Sequence, residues 1–298
     1  MSRPSVPSAA AGNPVLKGIL LNLSAILLFT LMDATAKHLI EGGAPVLQVI
    51  WVRYVGQTAI VLVMIAPKLP GALITRHPWH QAGRSLAQFG ASIFFFVSLG
   101  TISLASATAI ADMNPLLITL GAALFLGEPV GPRRLAAVGV AILGALLILR
   151  PGSDVFTPMA LYPVACALSF AAFALLTRAM GPGEPIATSL FYSALVGTVI
   201  TTFALPFVWQ PIPARDLWAY AAIAILGTAA QMFLIRAYAS APASVIAPFG
   251  YTGIPLAALW GLVFFNEVPD GLTILGALVI VGAGLYVWHR ENRAPGHG

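Results

Sequence analysis

A long stretch of this chain occurs twice. Residues 104–129, LASATAIADMNPLLITLGAALFLGEP, return as residues 240–269, SAPASVIAPFGYTGIPLAALWGLVFFNEVP. Each copy opens on small residues: Ala105, Ala107 and Thr108 in one, Ala241, Ala243 and Ser244 in the other. Each crosses about twenty apolar residues interrupted by proline, at Pro115 in the first and at Pro248 and Pro255 in the second. Each closes on a glutamate, Glu128 or Glu267, with a proline just behind it. A repeat spaced at nearly half of 298 residues means two halves built on one plan, and that constrains the architecture before any local assignment.

Composition decides the medium. The chain is 59% hydrophobic and 8% charged, whereas roughly a quarter of a soluble domain is charged. Apolar runs of eighteen or more residues read as membrane-spanning helices. Ten are predicted, at 16–38, 46–66, 85–103, 105–126, 134–149, 159–179, 187–208, 217–237, 243–265 and 271–289. Their connections are short and carry Gly or Pro, so no extramembrane domain is expected to hold a soluble active site. Residues 1–15 lack the apolar core and cleavage pattern of a signal peptide and read as a disordered cytoplasmic tail. The first repeat is then 16–150 (helices 1–5), the second 151–289 (helices 6–10), and 290–298 a second tail. The single Cys166 excludes an intrachain disulfide and reads as packing. The net charge of +5 does not point to nucleic acid, because no run of five basic residues occurs.

Orientation follows from the placement of Lys and Arg. With the N-terminus inside, the inner segments receive Arg3, Lys17, Lys68, Arg76, Arg84, Arg133, Arg134, Arg178, Arg236, Arg290 and Arg293. The outer segments receive Lys37, Arg150 and Arg215. Both termini are therefore predicted to be cytoplasmic. Five spans per half return the second half upside down, so the predicted fold is an all-α integral membrane protein of two inverted five-helix repeats. Secondary transporters use such repeats, with solute bound between the halves near the midplane. Prolines within spans free carbonyls that protein or a water-filled cavity must receive. Pro115, Pro248 and Pro255 are accordingly read as helix breaks lining a central cavity. Spans 5 and 10, with Ala137, Ala141, Ala145 and with Gly276, Gly282, Gly284, read as braces that pack through small residues.

Charges inside hydrocarbon are costly, which makes them functional candidates. Asp33, Arg53 and Asp112 all fall about seven or eight residues from the outer ends of spans 1, 2 and 4, roughly 10–12 Å deep at 1.5 Å per residue. Two readings of them stay open. Asp33 pairs structurally with Arg53, or with Lys37 one turn above it. Alternatively the group is a solute or proton site, with Arg53 binding a carboxylate and a desolvated Asp112, next to Asn114, taking a proton or an ammonium group. Phe29, Phe96 and Tyr251 are expected to shape the cavity, and the amide of Gln231 needs a partner at mid-span. Glu128 and Glu267 read as structural carboxylates that cap the helix following each, on opposite sides of the membrane. The five histidines, His38, His77, His80, His289 and His297, lie at span ends or in tails, and His77 and His80 share an inner loop with no acid or cysteine beside them, so no metal site is expected. With no Walker-type glycine loop and no nucleophile motif, neither ATP-driven transport nor an enzyme is expected. An intramembrane enzyme or a channel remains as the remote alternative.

With the repeat, the GEP at 127–129, the NEVP at 266–269 and the opening FTLMDATAKHLIEGGAPVLQVIWVRY at 29–54, the chain resembles the EamA branch of the drug/metabolite transporter superfamily. The resemblance covers about residues 17–289. It implies a bacterial inner-membrane transporter moving a small organic solute by alternating access, gradient-driven or proton-coupled, without a cofactor, as a monomer in the lipid bilayer. An exporter of amino acids, aromatic or other, or of related metabolites is the expected activity. An importer of a metabolite such as riboflavin or S-adenosylmethionine is the alternative. Phe173 stands near where Asp33 would align in the second half, and Ser193 near Arg53, so the polar site is expected to be asymmetric.

Overall fold

The structure is a computed structural model, describing residues 14–68, 74–75, 77–126, 131–151, 158–180, 186–240 and 246–291. The described residues are helical and contain no strand. Hydrocarbon leaves no alternative to backbone bonds made within the segment itself. In chain order the helices are α1 (Pro14–Glu41), α2 (Val46–Ile65), α3 (Pro78–Leu99), α4 (Leu104–Ala111), α5 (Asn114–Leu126) and α6 (Pro132–Leu149) in the first half. The second half has α7 (Tyr162–Met180), α8 (Ile186–Ala204), α9 (Leu217–Ser240), a 3₁₀ segment (Ala247–Thr252), α10 (Gly253–Phe265) and α11 (Gly271–Glu291). Nine stretches among the described residues are long and apolar enough to cross a membrane, and Leu135–Leu149 within α6 is a shorter apolar helix.

Local chemistry sets the ends. Pro78 and Pro132 open α3 and α6, where a missing amide proton costs nothing. Ser103 caps α4, its Oγ accepting from the Ser106 amide at 3.2 Å. Asp270 caps α11, accepting from the Thr273 amide at 2.8 Å, and also receives the Arg150 guanidinium from the end of α6. The Arg150 hydrogen bond and the Thr273 amide hold the Asp270 carboxyl well below the usual carboxylate range. That stabilisation is therefore fully present at neutral pH and is lost as acid protonates the carboxylate.

Helix 3 starts earlier than predicted. Its first turns carry His80, Gln81 and Arg84, too polar to enter an apolar window, so the sequence reading placed Arg84 in a loop. Instead Arg84 is buried within α3, donating to Ser193 Oγ at 2.9 Å and to the Ser189 carbonyl of α8, with Phe173 5.3 Å away. Span 4 is also not one helix: α4 ends at Ala111, a turn follows, and α5 begins at Asn114. Its counterpart is broken too, with the 3₁₀ segment preceding α10.

The major pairings obey one rule. α1 lies along α9, and α3 along α7; α2 packs on α8, α4 on α10, and α6 on α11. Exchanging the halves, α1 for α7, α2 for α8, α3 for α9 and α6 for α11, turns the α1–α9 pair into the α7–α3 pair. It maps the α2–α8 and α6–α11 pairs each onto itself. One buried cluster, including Met32, Tyr54, Phe96, Leu99 and Ile223, joins α1, α2, α3 and α9. A second, including Ile110, Leu116, Ala141, Ala145 and Ile280, joins α4 and α5 to α6 and α11.

The α6–α11 pair crosses at two glycines. A Cβ on Gly276 would lie 2.5 Å from the Gly144 carbonyl oxygen, and one on Gly144 would lie 2.9 Å from the Gly276 carbonyl oxygen. Backbone cannot move aside as a flexible side chain can, so Gly276→Ala is expected to cost about 1–3 kcal/mol. Thermal unfolding of the detergent-purified protein reads this as a lowered Tm. Gly282→Ala, where a Cβ meets nothing within 4 Å, should leave Tm unchanged; equal Tm values for the two variants would contradict the crossing.

Candidate functional site

Three charged side chains, Asp33 of α1, Arg53 of α2 and Asp112 at the end of α4, are related through Asp33, which lies within electrostatic reach of the other two. Arg53 of α2 donates from Nη1 to Ser92 Oγ of α3 at 3.0 Å, and its guanidinium lies 5.4 Å from the Phe96 ring and 5.7 Å from that of Tyr54. Ser92 Oγ donates to the Gln88 carbonyl at 3.1 Å. Its single proton is thereby used, so the Tyr54 hydroxyl, 2.9 Å away, must be the donor to it. Two helices, α2 and α3, are joined through one hydroxyl. Arg53 Nε is buried without a hydrogen-bond partner, and a Cβ on Gly227 of α9 would lie 3.7 Å from it.

Asp33 of α1 is within electrostatic reach of Arg53, yet no ion pair within 4.0 Å joins them among the described residues. Nor does Asp33 pair with Lys37, whose partners lie elsewhere. Asp112 closes α4 at its C-cap, with φ −72° and ψ 5°, its amide donating to the Thr108 carbonyl at 2.9 Å. Its Oδ2 is buried without a hydrogen-bond partner and faces α10, 3.7 Å from where a Cβ on Gly253 would sit. Asp33 and Asp112 are electrostatic neighbours, and Cys166 of α7 is within reach of both and of Arg53. Although deep in the bundle, Asp33, Arg53 and Asp112 each keep partial accessibility.

The remaining predicted residues divide. Phe96, 1% exposed, is the floor beneath Arg53, and Phe29 packs at the edge of the same cluster, one turn before Asp33. Asn114 opens α5, with Pro115 as its second residue. Pro248 lies in the 3₁₀ segment and Pro255 in the first turn of α10. Tyr251 does not join the charged group directly. Its hydroxyl sits against α11, where a Cβ on Gly284 would overlap it, although Asp112 is within electrostatic reach. Gln231 is also set apart. With Gln57, Val61, Leu190, Thr228 and Met232 it lines a cavity of about 140 Å³ between α2, α8 and α9. That cavity lies one turn beyond Arg53 along α2 and one turn beyond Gly227 along α9.

A second polar site, which the sequence does not reveal, lies one turn further along α1. Lys37 is 2% exposed, and its Nζ reaches the Leu99 carbonyl (2.9 Å), the Ile102 carbonyl (3.1 Å), Glu41 Oε1 (3.0 Å) and Glu267 Oε1 (2.9 Å). Three ammonium protons are shared over four acceptors. The other oxygen of Glu267, Oε2, accepts from the Leu104 amide at 3.0 Å, at the first residue of α4. A cation thus sits on the last carbonyls of α3 and an anion on the first amide of α4, the favourable sign at each end. This corrects the capping prediction: Glu267 caps α4 of the opposite half, and Asp270 caps the helix that follows. The backbone makes the reversal possible. Asn266 takes the left-handed conformation (φ 54°), and the amides of Asn266 and Glu267 both return to the Gly261 carbonyl. Glu128 lies outside the described residues. One signal was available for Ser92: Gln81, Ser85, Gln88 and Ser92 recur at spacings of four, three and four, a polar stripe on one helix face.

Among the described residues no group of three or more His, Cys, Asp or Glu could hold a metal ion. The family profile of EamA-like transporters matches residues 16–150 and again 157–288. The chain is 34% identical to a riboflavin transporter of Rhizobium johnstonii over 74% of each chain, and 31% identical to a riboflavin transporter of Vibrio cholerae over 93% of this chain and 95% of that one. It is 29% identical to the pseudopaline exporter CntI of Pseudomonas aeruginosa, over 89% and 94% respectively.

Removing one side of the Lys37 junction strands buried charge. Lys37→Met is expected to destabilise by about 3–5 kcal/mol, and Glu267→Gln to destabilise through the same contacts. In a double-variant cycle read by thermal or chemical unfolding, the combined loss should fall well short of the sum. Additive losses would show that the two side chains act independently.

Proposed function

We propose, from the premise that the chain belongs to the EamA-like transporter family, that it is a secondary transporter passing a small organic solute between its two halves by alternating access. The observation that carries this reading is the partly accessible group Asp33, Arg53 and Asp112, placed where span 4 stops being helical. Half-helices that meet a cavity are where transporters bind solute. The exchange rule in the helix pairings supports two inverted repeats, 16–150 and 151–289. The Lys/Arg bias supports cytoplasmic termini and insertion in the bacterial inner membrane. In that orientation the Lys37–Glu267 junction lies on the outer side and closes it, and the solute leaves when the junction parts.

A carboxylate pair with one guanidinium suits an amphoteric solute, which favours export of an amino acid or a related metabolite. Asp112 is the proton acceptor in this scheme, with Asp33, Arg53, Tyr251 and Cys166 as the titratable or charged groups around it. A second reading, transport of a flavin-like metabolite, is favoured by the two relatives named riboflavin transporters.

Proteoliposomes loaded with the purified protein separate these readings. Flux of a panel of amino acids, riboflavin and other metabolites, with and without a pH gradient, is expected to saturate for one class of solute. Asp112→Asn should reduce that flux at least tenfold and flatten its pH dependence, with yield and elution unchanged. Wild-type flux in the variant would return Asp112 to a packing role, and flux that never saturates would favour a channel.

A further inference from the structure

We propose that the transported solute carries a cationic nitrogen and that Asp112 receives it, an assignment that rests on the transporter reading above. Asp33 lies within electrostatic reach of both the Arg53 guanidinium and the Asp112 carboxylate, and the next cation on α1 is Lys37, one turn on. Lys37 is already engaged by Glu41, Glu267 and two carbonyls. Arg84 is held by Ser189 and Ser193 on α8. Arg53 is turned toward α3 by Ser92, with aromatic rings on its flanks, and Asp33 is the carboxylate it balances. Asp112 is left in excess.

The geometry around Asp112 fits an incoming group and not an internal partner. Its Oδ2 has no donor among the described residues, and it lies 3.7 Å from where a Cβ on Gly253 of α10 would sit, a spot that Thr108 Cγ2 of α4 and Ile26 Cγ2 of α1 also border. An unpaired buried carboxylate costs several kcal/mol, so the site gains most from a positive group brought in from outside. A metal ion would need more ligands than are assembled there among the described residues. An ammonium group needs one carboxylate. An anionic solute would meet the two carboxylates with only a single, already engaged arginine to offset them.

Cys166, the only cysteine in the chain, is buried on α7 with Asp33, Asp112 and Arg53 as its charged neighbours, so its modification reports on the site when the halves part. The test uses wild-type protein in proteoliposomes and methanethiosulfonate reagents carrying an ammonium, a trimethylammonium or a sulfonate group. Cationic reagents are expected to modify Cys166 at least tenfold faster than the sulfonate. Asp112→Asn should bring that preference below about threefold, and Asp112→Glu should retain it, which guards against a variant that is merely misfolded. Three results would overturn the proposal: sulfonate reacting as fast as ammonium, a preference untouched by Asp112→Asn, or no modification by the cations. None of them bears on whether the chain transports, which the flux panel decides separately; saturable flux with no cationic preference would sink the solute assignment alone.

Discussion

Inside hydrocarbon every backbone amide and carbonyl must find a partner within the protein, and that constraint governs where this chain can stop being helical. Among the described residues it stops within a span at Asp112–Met113 and through Ala247–Thr252. The turn after α4 satisfies itself locally, with the Met113 amide on the Ile110 carbonyl and the Leu116 and Leu117 amides on the Met113 carbonyl. Proline at Pro115 and Pro248 removes donors that would otherwise need acceptors. Both breaks lie on segments that touch α1 and each other. Trp260 of α10 fastens there too, donating to Thr30 Oγ1 of α1 at 3.1 Å. A broken helix held this way places a polar group, Asp112, at a depth where an unbroken one would carry an apolar side chain.

The Lys37 junction applies the same economy of partners at the end of the bundle. Two free helix ends, one of each sign, meet a lysine from the first half and a glutamate from the second. Because Glu267 belongs to the opposite half from Leu104, the junction couples the halves instead of stabilising one of them. Contacts of that kind have two arrangements, made and broken, and rigid-body motion between halves needs elements of this sort. The α6–α11 crossing is different in character: glycine backbone on glycine backbone suits a pivot that stays in contact while other surfaces part.

Much of the fold was legible in the sequence because membrane helices announce themselves by length and hydropathy, and because the repeat is long. The polar elements were less legible, for physical reasons. Gln81 and Arg84 look like loop residues in a hydropathy window, whereas α3 buries them against Ser189 and Ser193 of α8, more than a hundred residues away. Glu267 looks like a cap for the next helix because capping is ordinarily local, and only the fold brings it to Leu104. Depth alone gathers Asp33, Arg53 and Asp112, and in the structure Asp33 lies within electrostatic reach of the other two. Depth carries no information on azimuth, so it could not show that Tyr251 turns toward α11 or that Gln231 faces the cavity between α2, α8 and α9.

What the account depends on most is that equivalent points of the two halves face opposite sides of the bilayer. Single cysteines in a Cys166→Ala background measure this directly. One replaces Val268, exposed beside Glu267, and the other replaces Arg133, exposed at the start of α6. A membrane-impermeant thiol reagent applied to intact cells should label the cysteine at 268 and spare the one at 133 until the membrane is permeabilised. Labelling of both from the same side would contradict the inverted arrangement, and with it the passage of solute between the halves.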